Sequence, residues 1–140
     1  MMAAGSLTDI YGRKRVWLLG LLSFTLITFL IPLATTVMWI DVLRLLQGAG
    51  GAAAFAGAMA SLAQTFQGAT RTRIFSLLGV TFGIGLAFGP IAAGWIVNST
   101  GWRWVFIATA GISLLGLCLV YLYADESRDI DAKGVDWLGA

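Results

Sequence analysis

The chain has 140 residues, 59% apolar and 11% charged, with no histidine and a formal net charge of +2. A soluble domain carries about 25% charged residues, and nine basic plus seven acidic side chains cannot cover this much hydrocarbon with a polar surface. The composition excludes a soluble enzyme and a disordered tail, and the small basic excess excludes a nucleic-acid binder.

Residues 1–15 read as the last turn of a preceding apolar helix and a polar loop ending in Arg13-Lys14-Arg15. Four apolar stretches follow, each long enough to cross about 30 Å of hydrocarbon at 1.5 Å per residue. The first, residues 16–34, holds 19 uncharged residues. The basic triplet before it is like the start of a signal peptide, but the run exceeds the usual 7–15 apolar residues or so. The second, about 38–66, contains Asp41 and Arg44, whereas 74–97 and 104–124 are uncharged. Residues 125–140 read as a linker towards a missing next span. The predicted fold class is all-α, with four polytopic membrane helices joined as antiparallel hairpins.

Basic residues set the expected orientation. Arg13, Lys14, Arg15, Arg71, Arg73, Arg128 and Lys133 fall on one side of these spans, and Arg103 alone on the other. The positive-inside rule places the seven in the cytoplasm, and gathers Trp39, Trp95, Trp102 and Trp104 at the outer interface. Side-chain size sets the expected packing. The first span is bulky and suits lipid. The second holds residues 48–60 almost without bulk. The third carries Gly79, Gly83, Ala87, Pro90 and Gly94 along one face, with Gly85, Gly89 and Ala93 beside it. Small residues at such spacing permit close helix approach, so the second and third spans are expected inside the bundle, and the first and fourth outside. Cys118, the one cysteine, excludes an internal disulfide. No zinc cluster and no cofactor are implied.

Three motifs carry the functional reading. In residues 5–15, Gly5 and Gly12 permit a tight turn, and Asp9 faces Arg13 and Lys14. On its residues this is a positive-inside loop. It also resembles motif A of the major facilitator superfamily, G-x-L-a-D-r-x-G-r-k, which joins that family's second and third spans. The resemblance implies that Asp9 closes a cytoplasmic gate, although Ile10 stands where the family has arginine and weakens the charge relay.

In the second span, Arg44, Gln47, Gly48 and Gly51 fall on one helical face. An arginine within a span costs roughly 2.5–3.5 kcal/mol on insertion scales and normally faces protein or a water cavity. Alternatively, Arg44 snorkels towards Trp39 and pairs with Asp41 three residues before it. Asp41 itself reads as that interfacial partner or as a proton or cation site. The segment resembles motif B of the same superfamily, R-x-x-q-G-x-g-a-A, whose arginine is implicated in proton movement. A guanidinium keeps its proton near neutral pH. The implied mechanism is that Arg44 holds a partner carboxylate ionised and releases it on protonation.

The third span's Gly85, Gly89, Pro90 and Gly94 resemble motif C, g-x-x-x-G-P-x-x-G-G, which marks the drug–proton antiporter branch. Ala93 replaces one glycine. Pro90 removes a backbone hydrogen bond and is expected to bend the helix. On physical grounds alone, the stripe also suits generic helix packing. Gly101-Trp102-Arg103-Trp104-Val105-Phe106 and Asp136-Trp137-Leu138-Gly139-Ala140 resemble the fourteen-span form of that branch. The absent Asn and Pro after the first run leave twelve spans open. Asn98-Ser99-Thr100 matches a glycosylation acceptor but reads as a loop cap.

The resemblance covers nearly the whole chain, from the end of span two to the loop after span six. It implies a fragment of a proton-coupled exporter of drugs or other small molecules, working by alternating access in the cytoplasmic membrane. Its implied partners are a small-molecule substrate, protons, the lipid bilayer and the missing remainder of the transporter, with no nucleic acid. The alternative is a self-contained four-span protein that assembles with or regulates another membrane complex. An intramembrane enzyme would need a His, Cys–His or paired-carboxylate site that no span provides.

Overall fold

The computed structural model describes residues 13–124. Four helices account for nearly all of them: α1 Arg13–Leu30, α2 Val37–Thr65, α3 Gly68–Thr100 and α4 Trp102–Tyr123. A 3-10 turn, Ile31–Leu33, follows α1. Each helix is long and apolar enough to span a membrane. The gaps between them are short, so neighbouring helices run antiparallel. Gly5, Asp9, Gly12 and the tail from residue 125 lie outside the described residues.

The helices outrun the uncharged windows that located them. Arg13-Lys14-Arg15 form the first turn of α1, and Arg71 and Arg73 lie inside α3, leaving 66–67 as the connection from α2. Low polarity marks where hydrocarbon begins, but a helix ends only where its backbone is broken. Nothing between Ala69 and Ile74 breaks one, and Arg71 lies 5.7 Å above the Phe75 ring one turn on. At 33 residues, α3 is about 50 Å long and projects beyond a hydrocarbon core of about 30 Å. Asn98-Ser99-Thr100 is the last turn of α3 rather than a loop. Its Ser99 hydroxyl bonds the Trp95 carbonyl and its Thr100 hydroxyl that of Ile96. Likewise α3 continues through Pro90 without interruption.

The core sits between α1 and α2. A Cβ built on Gly20 would strike the Ala54 backbone, one on Gly50 would lie 2.7 Å from Ser23 Oγ, and one on Gly57 2.6 Å from Trp17 N. The pairs 17–57, 20–54 and 23–50 run in opposite order along the two helices, which defines an antiparallel hairpin in near backbone contact. Gln47, Gly50, Ala54 and Gly57 are the buried stripe of α2. Helix α4 packs on the other flank of α1, where the Thr25 and Ser113 hydroxyl oxygens are 3.0 Å apart.

This arrangement corrects the packing order expected from side-chain size. The bulky first span is central, touching both α2 and α4, whereas α3 buries no residue. Gly20 reverses the role of α1, because one glycine at the crossing point admits the small face of α2. The glycines of α3 meet nothing within 4 Å among the described residues. Its contact with α2 includes the Phe55–Phe82 ring pair, 5.8 Å between centroids.

Candidate functional site

A chain of polar contacts crosses from α1 to α2, about 10 Å along α2 from its start. It begins at Thr28, fully buried, whose hydroxyl donates to the Phe24 carbonyl at 2.6 Å. Thr28 Oγ1 then accepts from Gln47 Nε2 at 2.6 Å, and Gln47 is only 5% exposed. At its other end Gln47 Oε1 accepts from Arg44 Nη1 at 3.1 Å. The Arg44 guanidinium lies 4.8 Å from the centre of the Phe106 ring of α4. Phe106 in turn meets Trp102 edge to face, with centroids 5.9 Å apart.

The helices make this possible by local rules. Arg44 and Gln47 are three residues apart and therefore neighbours on α2. Thr28 bonds its own helix four residues back, the usual way for threonine to enter an apolar helix. The start of α4 is held in place by Arg103, whose Nε donates to the Pro32 carbonyl at 2.9 Å while its guanidinium lies 4.7 Å from the Trp102 ring. Gly101, at φ +99°, is the single residue between α3 and α4. The Trp-Arg-Trp-Val-Phe run thus fastens α4 to the end of α1 and sets Phe106 under Arg44.

Sequence position predicted the participants unevenly. Arg44 and Gln47, expected on one face of the helix, are hydrogen-bonded to each other. Gly48 points into open space, and Gly51 faces the Phe24 ring at 3.3 Å from a built Cβ, so the four residues expected on one face divide between α1 and the open side. Among the described residues, Arg44 pairs with Gln47 and Phe106 and forms no ion pair with Asp41, which is exposed. Gly85, Gly89, Pro90 and Gly94 all lie on exposed stretches of α3. Arg13 opens α1, and Lys14 beside it is half-buried. Thr28 takes part in this contact chain though motif reading does not single it out, and Phe106 lies in the run 101–106, whose resemblance gives it no contact with Arg44. The signal available was a pair of threonines, Thr25 and Thr28, three residues apart and hence on one face of an otherwise apolar span.

The sequence matches the Major Facilitator Superfamily over residues 1–136. It is 33% identical over 136 residues to multidrug resistance protein 3 of Bacillus subtilis, covering 97% of this chain and 27% of that protein. Identity is 28% to a multidrug resistance protein B homolog of Mycobacterium tuberculosis, over 97% of this chain and 25% of the relative. It is 33% over 132 residues to a probable actinorhodin transporter of Streptomyces coelicolor, covering 91% and 23%. The chain spans about a quarter of the length of these relatives. No solved structure matches it at a significant level. A family match through nearly the whole chain, on four helices able to span a membrane, leads to one conclusion: the chain belongs to the Major Facilitator Superfamily and is part of a multi-pass protein of the plasma membrane.

Proposed function

We propose that this chain is part of a proton-coupled exporter of drugs or other small molecules that works by alternating access. The observation that carries the reading is the placement of Arg44. Its guanidinium is engaged by Gln47 and Phe106 on an exposed stretch of α2, and not by Asp41, the partner an interfacial anchor would take. Two of the relatives named above are called multidrug resistance proteins and one a probable transporter of actinorhodin, which supports a small-molecule cargo.

A guanidinium cannot serve as the proton carrier, but it controls one. Facing a carboxylate on another span, Arg44 favours the ionised form; protonation of that carboxylate ends the attraction and frees the helices to move. By its resemblance to motif A, Asp9 acts in the cytoplasmic gate together with Gly5, Gly12, Arg13 and Lys14. The two small-residue stripes of α3, one carrying Pro90 and Gly94 and the other Gly85 and Gly89, meet the rest of the transporter, since transporter repeats move against one another along such faces. The rival reading, a small helper of another membrane complex, is favoured by none of these observations.

The test is Arg44→Lys in the complete transporter. A lysine ammonium reaches the interface equally well but lacks the planar, forked donor set. Ethidium-induced proton release from everted vesicles is expected to be abolished, while equilibrium ethidium binding stays near wild type. Normal proton release in the lysine variant would remove Arg44 from coupling.

A further inference from the structure

We propose that Thr28 is a positioning residue for Arg44, acting through Gln47; the proposal rests on the coupling role assigned to Arg44 above. The argument is one of donor and acceptor direction. Thr28 has a single hydroxyl hydrogen, and it is spent on the Phe24 carbonyl at 2.6 Å. Towards Gln47 the hydroxyl oxygen can therefore only accept. That fixes the Gln47 amide with its NH2 group on Thr28, 2.6 Å away, and its carbonyl oxygen pointing the opposite way. Arginine has donors and no acceptor, so this is the one amide orientation that receives Arg44 Nη1, at 3.1 Å. The backbone of α1 thereby dictates, through two side chains, where a cation on α2 must lie.

Phe106 completes the seat. Its ring supports one face of the guanidinium at 4.8 Å, and the T-shaped contact with Trp102 keeps the ring from turning away. With Nη1 bound to Gln47 and one face on Phe106, the remaining N–H groups are left on the exposed side of Arg44. A carboxylate arriving from another span meets a cation already in place, at little ordering cost. Were the Thr28 hydroxyl absent, the buried Gln47 NH2 would lose its partner. The amide would then lose its anchor on α1 and swing away to find another acceptor for its NH2 group, withdrawing Oε1 from Arg44.

Thr28→Val preserves shape and removes the hydroxyl, whereas Thr28→Ser keeps the hydroxyl and removes a methyl. Both are made in the complete transporter with 4-fluorophenylalanine at position 106, so that the fluorine resonance reports the cation over the ring; Arg44→Ala supplies the reference without it. The expected result is that Thr28→Val moves the resonance to the Arg44→Ala position, while Thr28→Ser leaves it at wild type. Ethidium-induced proton release should fall about tenfold in Thr28→Val, within the usual span of coupling effects between sites, with ethidium binding and thermal stability of Thr28→Ser near wild type. An unmoved resonance in Thr28→Val overturns the positioning proposal and leaves the coupling reading standing. So does Thr28→Ser behaving like valine, because the hydroxyl would then be irrelevant. Normal proton release in Arg44→Lys with a shifted Thr28→Val resonance overturns the coupling reading instead.

Discussion

Gly101 shows how much a single position carries at the scale of one residue. It ends α3 and precedes α4 at φ +99° and ψ 162°, a region open almost exclusively to glycine and costing other residues on the order of 1–3 kcal/mol. Its N–H closes α3 on the Ile96 and Val97 carbonyls, and its carbonyl receives the Trp104 N–H. Gly101→Ala is therefore expected to lower the thermal midpoint of the detergent-solubilised protein, as read by tryptophan fluorescence. Gly111→Ala, at an ordinary φ with open space around it, should not. Equal midpoints would show that the corner tolerates a side chain. Residues differ in how openly they announce such roles. Arg44 is conspicuous, because a charge inside a span demands an explanation. Thr28 is not, because a threonine satisfies its hydroxyl on its own helix and passes as apolar. Its second contact exists only once α2 is packed against it, so the spacing of Thr25 and Thr28 marks a polar face but not the partner it meets.

At the scale of elements, the sequence disclosed the four helices but misjudged which of them meet. Small residues mark a face able to approach another backbone; they do not say whether a partner is present in the same chain. The stripe from Gly79 to Gly94 on α3 is open, while Gly20, alone in a bulky run, lies at the closest crossing. The α1–α2 contact yields a sharp comparison. A Cβ on Gly57 would sit 2.6 Å from the Trp17 backbone nitrogen, and one on Gly48 would meet nothing within 4 Å. Overpacking of this kind costs about 1–3 kcal/mol, and in a bilayer close packing is a main source of helix association. Gly57→Ala should lower the thermal midpoint by several degrees, and Gly48→Ala should leave it unchanged or slightly raised through better helix propensity. Identical midpoints for the two variants would mean that the hairpin is looser than this geometry requires.

For the whole molecule, the open question is which side of the membrane each end faces. The geometry fixes the relative answer. Thr70 and Ser99 belong to one unbroken helix and lie about 44 Å apart along it. That exceeds a hydrocarbon thickness of about 30 Å, so they emerge on opposite sides. The Arg103–Pro32 bond sets the ends of α1 and α3 and the starts of α2 and α4 together. Trp39, Trp95, Trp102 and Trp104 all lie near that end. Charge supplies the absolute answer. Arg71 and Arg73 occupy the first two turns of α3 beside Thr70, and Lys14 and Arg15 open α1 on the same side, whereas the Ser99 side carries Arg103 alone. Basic residues near span ends are retained in the cytoplasm, so Ser99 is expected outside and Thr70 inside. In a Cys118→Ser background, which removes the exposed native thiol, Ser99→Cys should react with an impermeant maleimide on intact cells. Thr70→Cys should react only after permeabilisation. Labelling of Thr70→Cys from outside would invert the topology, and Asp9 and the gate assigned to it would then face the wrong compartment.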